Sequence, residues 1–436
     1  MPTLLPARTV PLILLVFLSA SACSEGPLGV DEGPLGPVDQ VAELPRSLSE
    51  AERLAVQANN SLGLALLKAA AASQGPGANV VVSPLATSTT LALLSTGAEG
   101  GTFEELGRLL SLEELSQEEI GEAYAGLLGL LSTLDPSVEL DPATSLWVRE
   151  GLGIRTEFRT WAQERYGTHA QELDFSSDAA PRAINDWVRD RTEGRVQELV
   201  TSSFHPLTVL VTGEALVFDG AWSYQFDPAR TQRTEFTLRD GSTVRSVTMQ
   251  PEDHIPFRYF TEGSPRDYVV LEVPFGGGAY VLTFVLPSIF QEVHDFLASL
   301  DEERWEEVLD SLRDTLGQPR IPRLRVDEGT LLARTRGASG PLQALGMDTV
   351  LDWEKADLSG LSASGSVVGP HVDQMAQSSW LQLQETGREL PPGWPPGPVA
   401  GAPTRASVDR PFLFALRERL TGTILMMGVV EDPRAL

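Results

Sequence analysis

The side chains able to do chemistry in this chain are few and scattered. Of 436 residues one is a cysteine, Cys23, and five are histidines: His169, His205, His254, His294 and His371. No two of these form a His-x-x-x-His pair or stand in His-Glu-x-x-His, so a zinc hydrolase site is not encoded. A single cysteine allows neither an internal disulfide nor a Cys-rich metal site. The lysines are Lys68 and Lys355 alone, which leaves few candidates for lysine chemistry. There is no Gly-x-Ser-x-Gly elbow and no phosphate-cradling loop. The expectation is a protein that is not an enzyme and holds no cofactor or metal. The formal charge of −27 opposes contact with a phosphate backbone, so a nucleic-acid role is not expected. The same charge disfavours anionic bilayers and polysaccharides as electrostatic partners and would steer a basic partner inward.

Cys23 stands in a telling place. Arg8 precedes an apolar run, Val10 to Leu18, followed by Ser19, Ala20, Ser21 and Ala22. A charged start, a short apolar core and small residues make a secretory signal, and the run is too short for a stable membrane span. Small residues leading directly into a lone cysteine resemble the bacterial lipoprotein signal, with Ala20 where leucine is usual. The resemblance implies a signal peptide over 1–22, cleavage before Cys23 and acylation of its thiol. The alternative is an ordinary secretory signal with an adventitious cysteine. Ser24 suits outer-membrane sorting, so the expected location is outside the cell, lipid-anchored to the outer membrane or cell surface. Glu25-Gly26-Pro27-Leu28-Gly29 recurs in type at 32–36, in a Gly/Pro-rich acidic stretch without periodicity. Residues 23–48 are therefore expected to be a flexible tether.

The elements that must position any site lie in 49–436, expected to be one large domain. With 42% hydrophobic residues and a mean hydropathy near zero, the body can bury a core without spanning a bilayer. Ser49 to Ala72 has helical spacing, and Ser83-Pro84 opens a second helix, serine as cap and proline at the first position. Asn79 to Val82 reads as a short strand, Thr102 to Leu134 as broken helices, and Ile184 to Val200 as an amphipathic helix. Strand-like runs follow: 209–211, 215–218, 234–238, 243–249, 268–273 and 280–286, with Asp240-Gly241 as a hairpin turn. Phe412 to Leu416 and Thr423 to Val430 close the chain as two strands around Thr421-Gly422. Helices followed by strands, with few linkers, indicate an α+β fold.

Several segments in order carry a resemblance. Asn79-Val80-Val81-Val82-Ser83-Pro84-Leu85 leads to Leu91 through Ala98. Ile184-Asn185-Asp186-Trp187-Val188 precedes Thr192-Glu193-Gly194-Arg195-Val196. Ala215 through Trp222 precedes Phe226-Asp227-Pro228. Ala356-Asp357-Leu358-Ser359-Gly360, Arg410-Pro411-Phe412-Leu413-Phe414 and Thr421 through Gly428 complete the set. Each alone is an ordinary apolar strand or capped helix. Together, from about Leu54 to Pro433, they resemble the serpin family of serine protease inhibitors.

The resemblance implies three β-sheets, about nine helices and an exposed reactive loop, here about 385–410, in a monomer. It also implies a mechanism. A serine protease attacks the loop as bait and forms an acyl-enzyme. The cut loop then inserts as a new central strand and drags the protease into a distorted state, driven by a metastable native fold. Glu385, Gly387, Arg388 and Glu389 match the hinge, with Arg388 where inhibitory members carry a small residue. Counting forward from Gly387 and back from Arg410-Pro411 places the reactive bond at Ala400-Gly401, with Arg405 as a second choice. Small residues there suit an elastase-like or subtilisin-like protease. Glu214, Gln377 and Trp222 fall in the network under the opening strands. Glu214 stands for a family asparagine and Gln377 for a family histidine, a paired change that either preserves a bond between them or marks a sheet that no longer needs to open. Pairing is the expectation, because a buried carboxylate without a partner is costly. Arg388 and five prolines between Pro391 and Pro398 are expected to impair insertion. A fully functional suicide inhibitor is the alternative.

Overall fold

A computed structural model of the chain describes residues 40–261, 268–362, 369–386 and 406–435. Among them are nine helices: α1 (Glu50–Gln74), α2 (Pro84–Ser95), α3 (Gly100–Leu110), α4 (Gln117–Leu131), α5 (Thr156–Tyr166), α6 (Ala179–Arg191), α7 (Val293–Ala298), α8 (Glu302–Ser311) and α9 (Pro341–Ala344). The strands are β1 (Val80–Val82), β2 (Val138–Arg149), β3 (His169–Leu173), β4 (Leu210–Gly220), β5 (Gln232–Thr237), β6 (Thr243–Met249), β7 (Ile255–Thr261), β8 (Tyr268–Phe275), β9 (Tyr280–Pro287), β10 (Arg313–Gly317), β11 (Ile321–Pro322), β12 (Arg325–Arg334), β13 (Val372–Gln382), β14 (Phe412–Glu418) and β15 (Ile424–Val430). They form three sheets: seven strands in the order β1-β15-β14-β9-β8-β7-β10, three as β11-β6-β5, and five as β12-β13-β4-β2-β3.

Local chemistry explains the elements that the sequence made legible. Ser49 caps α1 through a reciprocal box with Glu52, and the Ser83 hydroxyl accepts from Ala86 N at the start of α2. Every residue of α2 is buried, including Thr87, Ser88, Thr89, Thr90 and Ser95. It lies under the central sheet, against α1, β4 and β15. Gly241 takes φ 79° in the β5–β6 hairpin and Gly422 takes φ 78° between β14 and β15. A side chain at either would be strained.

Three sequence expectations need correction. The helix drawn over Ile184–Val200 ends at Arg191, because the Thr192 hydroxyl bonds back to Val188 O and Glu193 and Gly194 both take positive φ. Val196, Leu199 and Val200 remain buried without being helical. The runs 209–211 and 215–218 are one strand, β4, because Gly213 inside it admits Ser145 and Leu199 so closely that a Cβ would collide with both. The tether drawn to residue 48 gives way to docked chain from Val41. Val41 N donates to Gly277 O, Arg419 donates to Val41 O, and Arg46 pairs with Glu52. Val41, Leu44 and Leu48 pack on the core, so their apolar side chains hold what the Gly/Pro composition suggested would be loose.

Candidate functional site

The centre of the five-stranded sheet has an unusual join. β13 and β4 run parallel, paired from Val372↔Leu210 to Leu381↔Phe218, while their outer neighbours β12 and β2 are antiparallel to them. No described strand lies between β13 and β4. A segment that turned back after β13 would enter this seam antiparallel to both. Both faces of the seam are covered. On one, Ala376 and Trp380 of β13 and Val211, Ala215 and Val217 of β4 pack under Ile184 and Val188 of α6. The other faces α2 and the main core.

On that inner face Glu214 and Gln377 are register partners. The Gln377 amide nitrogen donates to Glu214 Oε2 at 3.1 Å, to Thr87 Oγ1 at 2.7 Å and to Ser83 O at 2.9 Å. Its carbonyl accepts from Ser83 N at 2.7 Å. Two seam strands and the N-terminus of α2 are thus tied by one side chain. Glu214 is fully buried, and burial pushes its carboxyl up to about 7, with Thr90, Gln377 and Thr87 offsetting only part of that. The Thr90 hydroxyl acts on the carboxyl electrostatically, yet neither it nor Glu214 Oε1 has a hydrogen bond of normal geometry.

Trp222 lies apart from that pair, just past the end of β4, and holds the segment 384–386 instead. Its ring stacks on Phe275 at 4.1 Å, and its Nε1 donates to Gln384 O at 2.7 Å. Trp222 N donates to Thr386 O and Phe226 N to Glu385 O, both at 3.0 Å. Glu385 is almost buried, and its carboxylate accepts from Thr231 Oγ1 at 2.6 Å and pairs with Arg323. Burial opposes its charge, but the Thr231 hydroxyl and the Arg323 guanidinium outweigh that and hold the carboxyl below its ordinary range. The chain is therefore pinned up to Thr386. Gly387, Arg388, Glu389, Ala400, Gly401 and Arg405 lie outside the described residues, as does Cys23.

At the opposite end of the seam a second fastening escaped the sequence reading. Asp373, at the start of β13, accepts from Val209 N at 2.5 Å and from Thr335 Oγ1 at 3.1 Å, and His371 Nε2 lies 3.4 Å away. Burial raises its pKa, but His371, Val209 N and Thr335 together bring it below the usual carboxylate range. The strand β13 itself also escaped the sequence reading. Asp373, Gln377, Ser378 and Ser379 are polar yet buried, so the strand shows no apolar alternation. The one available signal was that these polar residues lie between apolar Val372, Met375 and Leu381.

The family model for serpins, serine protease inhibitors, matches residues 57–433. The chain belongs to the serpin family. Human antithrombin-III is 28% identical over 389 residues, covering 86% of this serpin and 81% of antithrombin-III. A serine protease inhibitor of Mus musculus is 30% identical over 374 residues, 83% of this chain and 84% of its own. The structure of human thyroxine-binding globulin superposes with a TM-score of 0.77 at 23% identity, over 88% of this serpin and 99% of that chain. Three sheets and nine helices among the described residues agree with the fold expected of a serpin. Serpins are mostly inhibitors rather than catalysts, but a thyroxine-binding protein shares the fold, so the fold alone does not choose an activity.

Proposed function

We propose that this serpin presents the loop after Glu385 as bait to a serine protease of elastase-like or subtilisin-like preference, and that insertion of the cut loop is hindered. It is then cleaved more often than it traps. The observation that carries the reading is the seam: its two faces are both buried, while the segment that would fill it begins with Arg388 and carries five prolines within Pro391 to Pro398. Incubation with a panel of serine proteases, resolved on a denaturing gel, tests it. Cleavage near Ala400 with little covalent adduct is expected. A near-stoichiometric adduct that survives denaturation refutes hindrance and supports the second reading, a working suicide inhibitor. That reading is favoured by the docked Glu385 and by the direct pairing of β13 with β4 among the described residues.

We also propose that Cys23 is acylated and holds the protein, as a monomer, at a bacterial outer membrane or cell surface. Growth with a fatty-acid probe should label the wild-type protein and leave Cys23→Ser unlabelled and soluble. Labelled, membrane-bound Cys23→Ser would place the anchor elsewhere.

A further inference from the structure

Arg195 sits in the turn that closes α6, directly after Glu193 and Gly194 in positive φ. Its guanidinium touches three strands of the central sheet. One NH2 group donates to Asp219 Oδ2 of β4 at 2.9 Å and to Glu139 Oε2 of β2 at 3.1 Å. The same guanidinium lies over the Trp380 ring of β13, 5.4 Å from its centroid. Asp219 and Glu139 are themselves register partners, and Trp380 pairs with Val217 two residues away. The contacts therefore bridge the β13–β4 seam at its hinge end, on the face opposite Gln377. The carboxylates are about half exposed, and exposed ion pairs alone are weak. The ring is what fixes the cation, because Trp380 is nearly buried and Arg195 mostly so.

We infer that Arg195 is a clasp across the seam, a positioning residue that holds β13 against β4 and sets how readily the central sheet opens. Separating the two strands must draw Trp380 from a cation that β4 and β2 retain. The inference rests on the proposed reading of the seam as the path of insertion, but its test does not need the chain's own loop to insert. Arg191 supplies the comparison: it also pairs with the sheet from α6, but through Asp141 of β2 alone.

The experiment is native-state hydrogen exchange by mass spectrometry on the full chain and on Arg195→Ala, Arg195→Lys and Arg191→Ala. Arg195→Ala should speed exchange about tenfold in peptides spanning 374–381 and 212–218, with β8 and β9 unchanged. Arg195→Lys, which keeps the charge and loses the planar stack, should fall between. Unchanged seam exchange in Arg195→Ala overturns the clasp, as does equal acceleration in β8 and β9 or an equal effect of Arg191→Ala. If wild-type protein instead forms a durable protease adduct, the hindrance reading fails while the exchange result still judges the clasp.

Discussion

Replacing Glu214 by glutamine is expected to stabilise the protein by about 3 kcal/mol at pH 8 and to flatten its stability between pH 5 and 7. The cause is the burial of this carboxyl beneath the seam, which raises its pKa from 4.5 to about 7. Between those values the native state keeps a proton that the unfolded chain releases. Stability is therefore full below about 4.5, falls as pH rises through the window, and levels off above about 7. Glutamine has the same shape and stays neutral throughout. Its carbonyl can still accept from Gln377 and Thr87, and its new amide can donate to the Thr90 hydroxyl, which lacks a hydrogen bond. Urea unfolding of both proteins at several pH values between 5 and 8 reads the effect directly. Parallel curves, with the variant no more stable at pH 8, would show that the Glu214 carboxyl does not titrate in this range.

The same residue illustrates what a sequence can and cannot yield. That Glu214 and Gln377 differ together was legible, since both fall at fixed offsets from recognisable motifs. The helix from Ser49, the Ser83 cap, the Asp240-Gly241 hairpin and the two C-terminal strands were legible because their causes are local: helical spacing, a hydroxyl reaching its own helix, a glycine in a tight turn, a run of apolar residues. What escaped has distant causes. β13 is a strand because Gln377 meets Ser83 and Asp373 meets Val209, partners that lie 294 and 164 residues away in the chain. β2 was missed because Pro142 interrupts an otherwise acceptable run. The structure tolerates it because β3 begins to pair only at Ser145, so at Pro142 the strand has a neighbour on one side alone. Arg195 looked like one letter of a motif, and nothing in its neighbourhood announced Trp380.

That single proline bears on the second large effect, the heat stability of loop-cleaved protein. Cleavage within 391–404 is expected to leave the melting temperature within a few degrees of the intact form. In a serpin whose loop inserts freely, cleavage should raise it strongly, because the new strand completes the sheet. Here the inserted strand would lie between β13 and β4 with neighbours on both sides, unlike Pro142 in β2. Each of its five prolines forfeits a ladder bond worth about 1 kcal/mol net, before any steric clash. Side chains would alternate between two buried faces, one under α6 and one beside the Glu214–Gln377 pair. Arg388 would fall on one of them, where an unpaired guanidinium costs several kcal/mol more. These losses offset much of what the seam could gain from a sixth strand. Calorimetry on intact and elastase-nicked protein measures the difference. A repaired variant isolates the cause: Arg388→Thr combined with alanine at Pro391, Pro392, Pro395, Pro396 and Pro398 should melt well above its intact form once cut. If cut wild-type protein already melts far higher, the prolines are accommodated in the sheet and hindered insertion is wrong. If the repaired loop gains nothing either, the obstacle lies in the body, at the fastenings that hold β13 to β4.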